Sequence, residues 1–79
     1  MDTQLRALRD SIAIQRELPP ASTRRALREA AGVTQDAVAS ACGVTRQAVS
    51  TWEAGRATPH GEKLVRYLRV LRLLKGADV

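Results

Sequence analysis

Residues 33–55 decide how this 79-residue chain folds, and they read VTQDAVASACGVTRQAVSTWEAG. Each half of the stretch opens on a threonine and closes on a glycine, first from Thr34 to Gly43 and then from Thr45 to Gly55. A threonine side chain caps the free N–H groups at the start of a helix, and glycine suits the left-handed residue that follows a helix end. The pattern therefore predicts two helices of about two turns joined by a tight turn.

The apolar residues of this stretch fall on one face of each helix. Val38 and Cys42 are four residues apart, and Val49 and Trp52 are three apart, so each pair shares a face. Val44 lies between the helices and is placed to fill their junction. A connection of three residues is the length expected of a helix-turn-helix unit.

A first helix is predicted at the N-terminus. Asp2 or Thr3 caps it, and it runs to about Leu18, where Pro19 and Pro20 end it because a proline disfavours helical geometry in the residue before it. We expect residues 1–21 to form this helix and a Pro-Pro hinge.

Two further helices complete an all-α prediction. Ser22 is expected to cap a helix that stops near Gly32, and the last helix is expected from Glu62 to about Lys75. Residues 22–79 are then the main domain of a single folded unit.

Composition narrows the class of partner. Thirteen Lys and Arg, eleven of them Arg, stand against eight Asp and Glu, giving a net charge of +5. Such a charge suits a polyanion, either nucleic acid or an acidic membrane surface, although a merely solvated basic surface is equally compatible. Phenylalanine is absent, so the core must be built from aliphatic side chains on helices.

Other classes of protein are disfavoured by what the sequence lacks. Cys42 is the single cysteine, and no Cys/His cluster, catalytic triad or phosphate-binding glycine loop is present. No apolar run approaches the roughly 20 residues that span a bilayer, and the first residues do not show the basic-then-apolar order expected of a signal peptide. We expect a cytoplasmic protein without metal, cofactor or enzymatic activity.

The central stretch resembles the phage-repressor (Cro/C1, XRE) type of helix-turn-helix. The matching residues are Val33-Thr34-Gln35, Ala39, Cys42-Gly43-Val44-Thr45-Arg46 and Val49-Ser50-Thr51-Trp52-Glu53-Ala54-Gly55. The resemblance covers about residues 22–74. It implies a compact five-helix domain of the lambda-repressor-like type with an extra N-terminal helix. It also implies a phage or bacterial DNA-binding transcription regulator, a repressor, that works on the nucleoid in the cytoplasm.

In this family the second helix of the motif, predicted here at about residues 45–54, enters the major groove of double-stranded DNA. The base-reading positions then fall on Arg46, Gln47, Ser50 and Thr51. An arginine can fork onto guanine, and a glutamine can pair in the same way with adenine. Each of these four residues could instead be an ordinary exposed residue of the helix. This alternative is strongest for Ser50 and Thr51.

The resemblance also implies phosphate contacts and a structural ion pair. The phosphate candidates are Thr34, Gln35, Thr45 and Arg56. Arg28 and Glu53 hold the positions of a salt bridge that fixes the recognition helix on its scaffold. Trp52 and Cys42 are expected in the core, and His60 in an exposed loop.

The last helix is apolar on two sides. Leu64, Val65, Leu68 and Leu71 form one stripe, Val70 and Leu73 lie nearly opposite, and Leu74 and Tyr67 flank. A helix of this kind is buried on both sides. Because phage-repressor-type domains usually bind an inverted repeat as dimers, we expect a homodimer interface at Val70, Leu73 and Leu74. Whether the first helix packs on its own subunit or crosses to the other is left open.

A protein-interaction module is the competing function. An antitoxin, an anti-repressor or an adaptor can use the same fold, with a protein partner bound through the N-terminal helix.

Overall fold

A computed structural model describes residues 2–76 as five helices in sequence, with no strand among those residues. The helices are α1 (Thr3–Arg16), α2 (Ala21–Ala30), α3 (Gln35–Cys42), α4 (Arg46–Glu53) and α5 (Gly61–Gly76). The predicted all-α, five-helix class is confirmed. The division between residues 1–21 and 22–79 stays a prediction.

The α3–turn–α4 unit is capped as the sequence predicts. Thr34 Oγ1 accepts the Ala37 N–H at 3.1 Å, and Thr45 Oγ1 accepts the Ala48 N–H at 3.2 Å. Between the helices, Gly43 has φ of 69°. A Cβ there would lie 2.9 Å from Nη1 of Arg66, in a backbone conformation that strains other residues.

The core lies where α3, α4 and α5 meet. Its fully buried side chains centre on Tyr67, Val49 and Cys42, all less than 2% exposed. Trp52 packs on Tyr67 with ring centroids 4.8 Å apart and planes tilted by 45°. The expected core positions of Trp52 and Cys42 are therefore observed, and Tyr67 is the central aromatic residue of α5.

The start of α2 differs from expectation. The helix begins at Ala21 with Pro20 as its N-cap, and Ser22 lies exposed inside the first turn. The prediction that Ser22 caps this helix is wrong. A proline has no N–H that needs a partner and its φ is fixed near the helical value, so helical geometry can begin directly after it.

Helix α5 faces the core more fully than its sequence suggested. Leu64, Tyr67, Leu68, Leu71 and Leu74 are all buried. The structure places Leu74, 7% exposed, in the chain's own core rather than on the outer face where a dimer contact was predicted.

Of the other two predicted interface residues, Val70 is half-buried against the core, while Leu73 is 75% exposed. The outer face of α5 therefore offers one large apolar side chain.

Helix α1 lies against the domain without entering its core. It contains no buried residue, and Ile14 is its only half-buried one. It ends at Arg16, two residues before the expected Leu18, which packs on the core. Arg72 of α5 donates to Glu17 at 2.7 Å and anchors the C-terminal end of α1.

Candidate nucleic-acid interface

The first turn of α4 presents its polar side chains to solvent. Arg46 and Gln47 are exposed, whereas Ser50 and Thr51, one turn later, are half-buried. The Thr51 hydroxyl donates to the Gln47 carbonyl at 2.8 Å. Arg46 and Gln47 are therefore accessible to a partner, while the Thr51 hydroxyl is already engaged within the helix.

The opposite face of α4 holds this turn in place. Val49 is 0% and Trp52 5% exposed, and Thr45 caps the helix N-terminus. A helix of eight residues is too short to be stable alone, so its position is set by this burial.

A shallow cleft joins the N-terminal ends of α3 and α4. It is lined by Arg25, Arg28, Thr34, Gln35, Asp36 and Arg46. The structure therefore brings the base-reading candidate Arg46 beside the phosphate candidates Thr34 and Gln35. Backbone N–H groups at a helix N-terminus, together with the helix dipole, favour an anion at such a place.

Glu53 is the centre of a polar cluster beneath this cleft. Arg28 Nε donates to Glu53 Oε2 at 2.6 Å, and Arg28 Nη2 donates to Glu53 Oε1 at 2.9 Å. The side chains are 13% and 4% exposed, so the pair is largely buried. The structure thus contains the salt bridge that the resemblance implied, in the two-pronged geometry that suits a guanidinium and a carboxylate.

Gln35 joins the same cluster. Its Nε2 donates to Glu53 Oε1 at 3.2 Å, an intramolecular contact that the sequence reasoning missed. The contact orients the Gln35 amide from below and leaves its Oε1 and second N–H available. Its predicted phosphate contact stays a prediction.

The ion pair keeps both partners charged. Burial alone would raise the pKa of Glu53, but hydrogen bonds from Arg28 and Gln35 and the positive charge of Arg28 bring that pKa below its usual value. The hydrogen bond to Glu53 raises the pKa of Arg28 against the opposing effect of its burial.

The threonine hydroxyls can serve two partners. Thr34 and Thr45 each accept a backbone N–H, which leaves the hydroxyl proton free to be donated to a phosphate oxygen. Thr45 borders a second open cleft that His60 and Lys63 also line. His60 is exposed, as expected.

Arg56 lies beyond the C-terminal end of α4. It is exposed, and its N–H donates to the Thr51 carbonyl at 3.1 Å, which closes the turn after the helix. The predicted phosphate role of Arg56 remains a prediction.

Two arginines of α2 were missed by the sequence reasoning. Arg25 lines the cleft with Arg46 and pairs with Glu29 at its surface. Arg24 is 6% exposed and donates to the carbonyls of Pro19 at 2.8 Å and Trp52 at 2.7 Å. The sequence did contain a sign of the Arg24 contact. Arg24 and Arg28 are four residues apart, so they share the face of α2 that is directed toward α4.

Arg24 completes the C-terminal end of α4. The last carbonyls of a helix lack an intrahelical partner, and the Trp52 carbonyl accepts both the Gly55 N–H at 3.2 Å and Arg24 Nη2 at 2.7 Å. Arg24 and Arg28 therefore hold the last turn of the candidate recognition helix from one scaffold helix.

Comparison with protein families identifies this arrangement. A family model described as a helix-turn-helix domain matches residues 25–79, which is more than half of the chain. The chain belongs to the helix-turn-helix domain family. No curated protein and no solved structure matches it significantly. The family match agrees with the resemblance to the phage-repressor type, and α1 lies outside the matched residues.

The protein is thus a helix-turn-helix domain of the DNA-binding kind, and α3 and α4 lie within the matched residues. No helix within residues 2–76 is long and apolar enough to cross a membrane. Over the same described stretch, no group of three His, Cys, Asp or Glu side chains is arranged to hold a metal ion.

Proposed function

We propose that this helix-turn-helix protein is a sequence-specific transcriptional repressor that inserts α4 into the major groove of double-stranded DNA. The proposal rests on the difference between the exposed and the buried side of α4. Its first turn exposes Arg46 and Gln47, while Val49 and Trp52 behind them are buried. A recognition helix needs both properties, because its side chains must reach base edges from a fixed position.

Phosphate contacts position the protein on the duplex. Thr34 and Thr45 open the two motif helices and retain a hydroxyl proton each, and Gln35 lies in the cleft beside Arg46. Arg56 is an additional exposed donor. Contacts of this kind fix register and carry no sequence information, whereas Arg46 and Gln47 select guanine and adenine, with Ser50 and Thr51 as secondary readers.

The protein acts as a homodimer on an inverted repeat in the bacterial or phage-infected cytoplasm. Half-sites one helical turn apart, about 34–36 Å, match the spacing of two recognition helices in such dimers. A net charge of +5 attracts the duplex and makes binding strongly dependent on salt. The proposal requires no cofactor, metal or catalytic step.

A protein-interaction module is the second candidate, and the observation in its favour is the exposed apolar side of α1. Leu5, Leu8 and Ile12 are 56%, 58% and 44% exposed there. An antitoxin, an anti-repressor or an adaptor would use this side for a protein partner.

The deciding experiment is selection of bound duplexes from a random pool at near-physiological salt, followed by sequencing. We expect an enriched inverted repeat. Arg46→Ala and Gln47→Ala should each weaken binding about 5- to 150-fold, because a good bidentate base contact contributes about 1–3 kcal/mol, and each should relax one base position.

The matched control is Arg69→Ala, which removes an exposed arginine from α5. It should leave the selected sequence unchanged. Repression is tested by placing the selected site over a reporter promoter. Recovery of no preferred sequence, or equal effects of Arg46→Ala and Arg69→Ala, would reject the proposal in favour of the interaction module.

A further inference from the structure

Arg24 is a positive charge buried inside the protein. It is 6% exposed, and none of the ion pairs within residues 2–76 includes it. Its partners are backbone carbonyls instead: Nη1 donates to Pro19 at 2.8 Å, and Nη2 donates to Trp52 at 2.7 Å. Burying a charge is unfavourable unless hydrogen bonds compensate it. The guanidinium therefore brings two strong, directed hydrogen bonds to one point of the fold.

The two carbonyls belong to segments that are far apart in the chain. Pro19 lies in the linker between α1 and α2, and Trp52 lies in the last turn of α4. A guanidinium is a planar and rigid fork, so its two Nη groups fix these carbonyls relative to each other as well as to α2. Arg24 therefore ties the end of α4 to the linker that follows α1.

The bond from Arg24 holds the backbone of α4 rather than one of its side chains. Val49 and Trp52 attach α4 to the core by apolar contacts, which have no preferred direction. Arg28 attaches it through the side chain of Glu53. A hydrogen bond to the Trp52 carbonyl, in contrast, directly fixes the height and the rotation of the last turn.

A small movement at the end of α4 becomes larger at its beginning. Arg46 lies six residues before Trp52, which is about 9 Å along the helix axis. A pivot of about 6° at Trp52 would therefore move Arg46 by about 1 Å. A binding site works when its side chains are held within about 0.5 Å of the productive position, so a pivot of this size would weaken base readout.

Helix α5 also meets Arg24. Burial raises the pKa of Tyr67 to about 12, and the positive charge of Arg24 opposes that rise, so the guanidinium acts on the Tyr67 hydroxyl. The Tyr67 ring in turn packs on the indole of Trp52. The hydrogen bond from Arg24 and the ring contact from Tyr67 thus act on the same residue of α4.

We propose that Arg24 is a positioning residue for base recognition. It holds the backbone of α4 in the placement from which Arg46 and Gln47 meet base edges, and it makes the linker between α1 and α2 part of that support. Arg24 itself is buried and does not contact DNA. The inference rests on the proposed function and adds a residue on which its sequence specificity depends.

The first test separates specificity from affinity. The dissociation constants of the selected duplex and of an unrelated duplex are measured for the unchanged chain and for Arg24→Met, and their ratio is the specificity ratio. Arg24→Met should lower this ratio at least about fivefold, the equivalent of one weak base contact. Affinity for the unrelated duplex should change less than about threefold, because it depends on exposed charge that the buried Arg24 does not supply.

Arg24→Lys separates the fork of the guanidinium from its charge. A lysine keeps the positive charge, but its single ammonium group cannot hold two carbonyls in a fixed relation. We expect Arg24→Lys to lower the specificity ratio as Arg24→Met does. Full specificity in the lysine variant would show that charge alone matters, and it would overturn the inference. Far-UV circular dichroism checks that both variants are folded at the temperature of the assay.

Leu68→Ala is the matched control for a loss of stability. Leu68 is a buried residue of α5 that faces the groove between α2 and α5, and it lies outside the core cluster that contains Trp52. Its truncation should lower the midpoint of thermal unfolding and leave the specificity ratio unchanged at a temperature where the chain is folded. A loss of specificity equal to that of Arg24→Met would mean that Arg24 acts through stability alone, against the inference.

The second test asks whether the linker acts through Arg24. Pro19→Gly loosens the backbone that carries the accepting carbonyl. We expect it to lower the specificity ratio by less than Arg24→Met does, and to have no further effect in a chain that also carries Arg24→Met. Equal effects of Pro19→Gly with and without Arg24→Met would show that the two residues act independently, and would overturn the role of the linker.

These outcomes distinguish the inference from the proposed function. An unchanged chain that prefers no duplex would overturn both, because it would have no specificity for Arg24 to support. A chain that selects a sequence and keeps its specificity ratio in Arg24→Met would overturn the positioning role alone.

Discussion

Helices α4 and α1 show two ways in which a short helix is held. Helix α4 has eight residues, of which Val49, Trp52 and Glu53 are buried, and both of its ends are fixed by side chains. Helix α1 is nearly twice as long and buries none of its residues. Length therefore says little about how rigidly a helix is placed in this protein, and the buried contacts decide it.

The difference agrees with the proposed role of α4. Base readout requires side chains to be held within a fraction of an ångström, so a helix that reads bases through Arg46 must be held firmly by its scaffold. The proposed function gives α1 no such requirement, and α1 has no buried residue. The following substitutions test the contrast between α4 and α1, from the largest effect to the smallest.

Trp52→Ala should give the largest loss of stability. Truncating a buried tryptophan removes apolar contact and leaves a cavity beside Tyr67, which costs about 3–5 kcal/mol. Leu8→Ala on α1, at a side chain 58% exposed, should change the free energy of unfolding of the monomer by less than about 0.5 kcal/mol. Urea unfolding at low protein concentration measures both, and similar losses would mean that α1 is as firmly held as α4.

Glu53→Ala should come next. It leaves Arg28 largely buried without its carboxylate, and removing one partner of a buried pair costs about 3–5 kcal/mol. We expect the lower end, about 3 kcal/mol, because Arg28 is 13% exposed and can reach water. The control is Arg25→Ala, which breaks the exposed pair with Glu29 and should cost at most about 1 kcal/mol. An equal effect of the two substitutions in denaturant unfolding would contradict the structural role of Glu53.

Thr45→Ala should have the smallest effect, about 1 kcal/mol, because it removes the hydroxyl that accepts the Ala48 N–H. Asp2→Ala removes the corresponding cap of α1, where the carboxylate accepts the Gln4 N–H at 3.2 Å. In thermal unfolding, Thr45→Ala should lower the midpoint temperature, and Asp2→Ala should leave it unchanged. The reverse order would show that α1 contributes to the cooperative unit.

The sequence was most informative where local chemistry alone sets the geometry. Thr34, Thr45 and Gly43 predicted the limits of the motif helices because a cap or a left-handed glycine acts within a few residues. The prediction at Ser22 failed although serine is a good N-cap, because the helix begins two residues earlier, with Pro20 at the N-cap position.

Contacts between distant segments were harder to predict. The Gln35–Glu53 hydrogen bond and the burial of Arg24 depend on how two helices cross, and no spacing within one helix encodes that crossing. Leu74 shows the same limit, since helical periodicity identifies two apolar sides of α5 without saying which residues the rest of the chain covers. The Arg28–Glu53 pair came from family resemblance rather than from periodicity.

The packing of Trp52 on Tyr67 has a practical consequence. The chain has one tryptophan and one tyrosine, and the tryptophan belongs to α4. Its indole lies 4.8 Å from the tyrosine ring, centroid to centroid, in a buried setting. Intrinsic fluorescence therefore reports on a single place in the molecule. A red-shifted tryptophan emission would mean that α4 has separated from α5, and it needs no label on the protein.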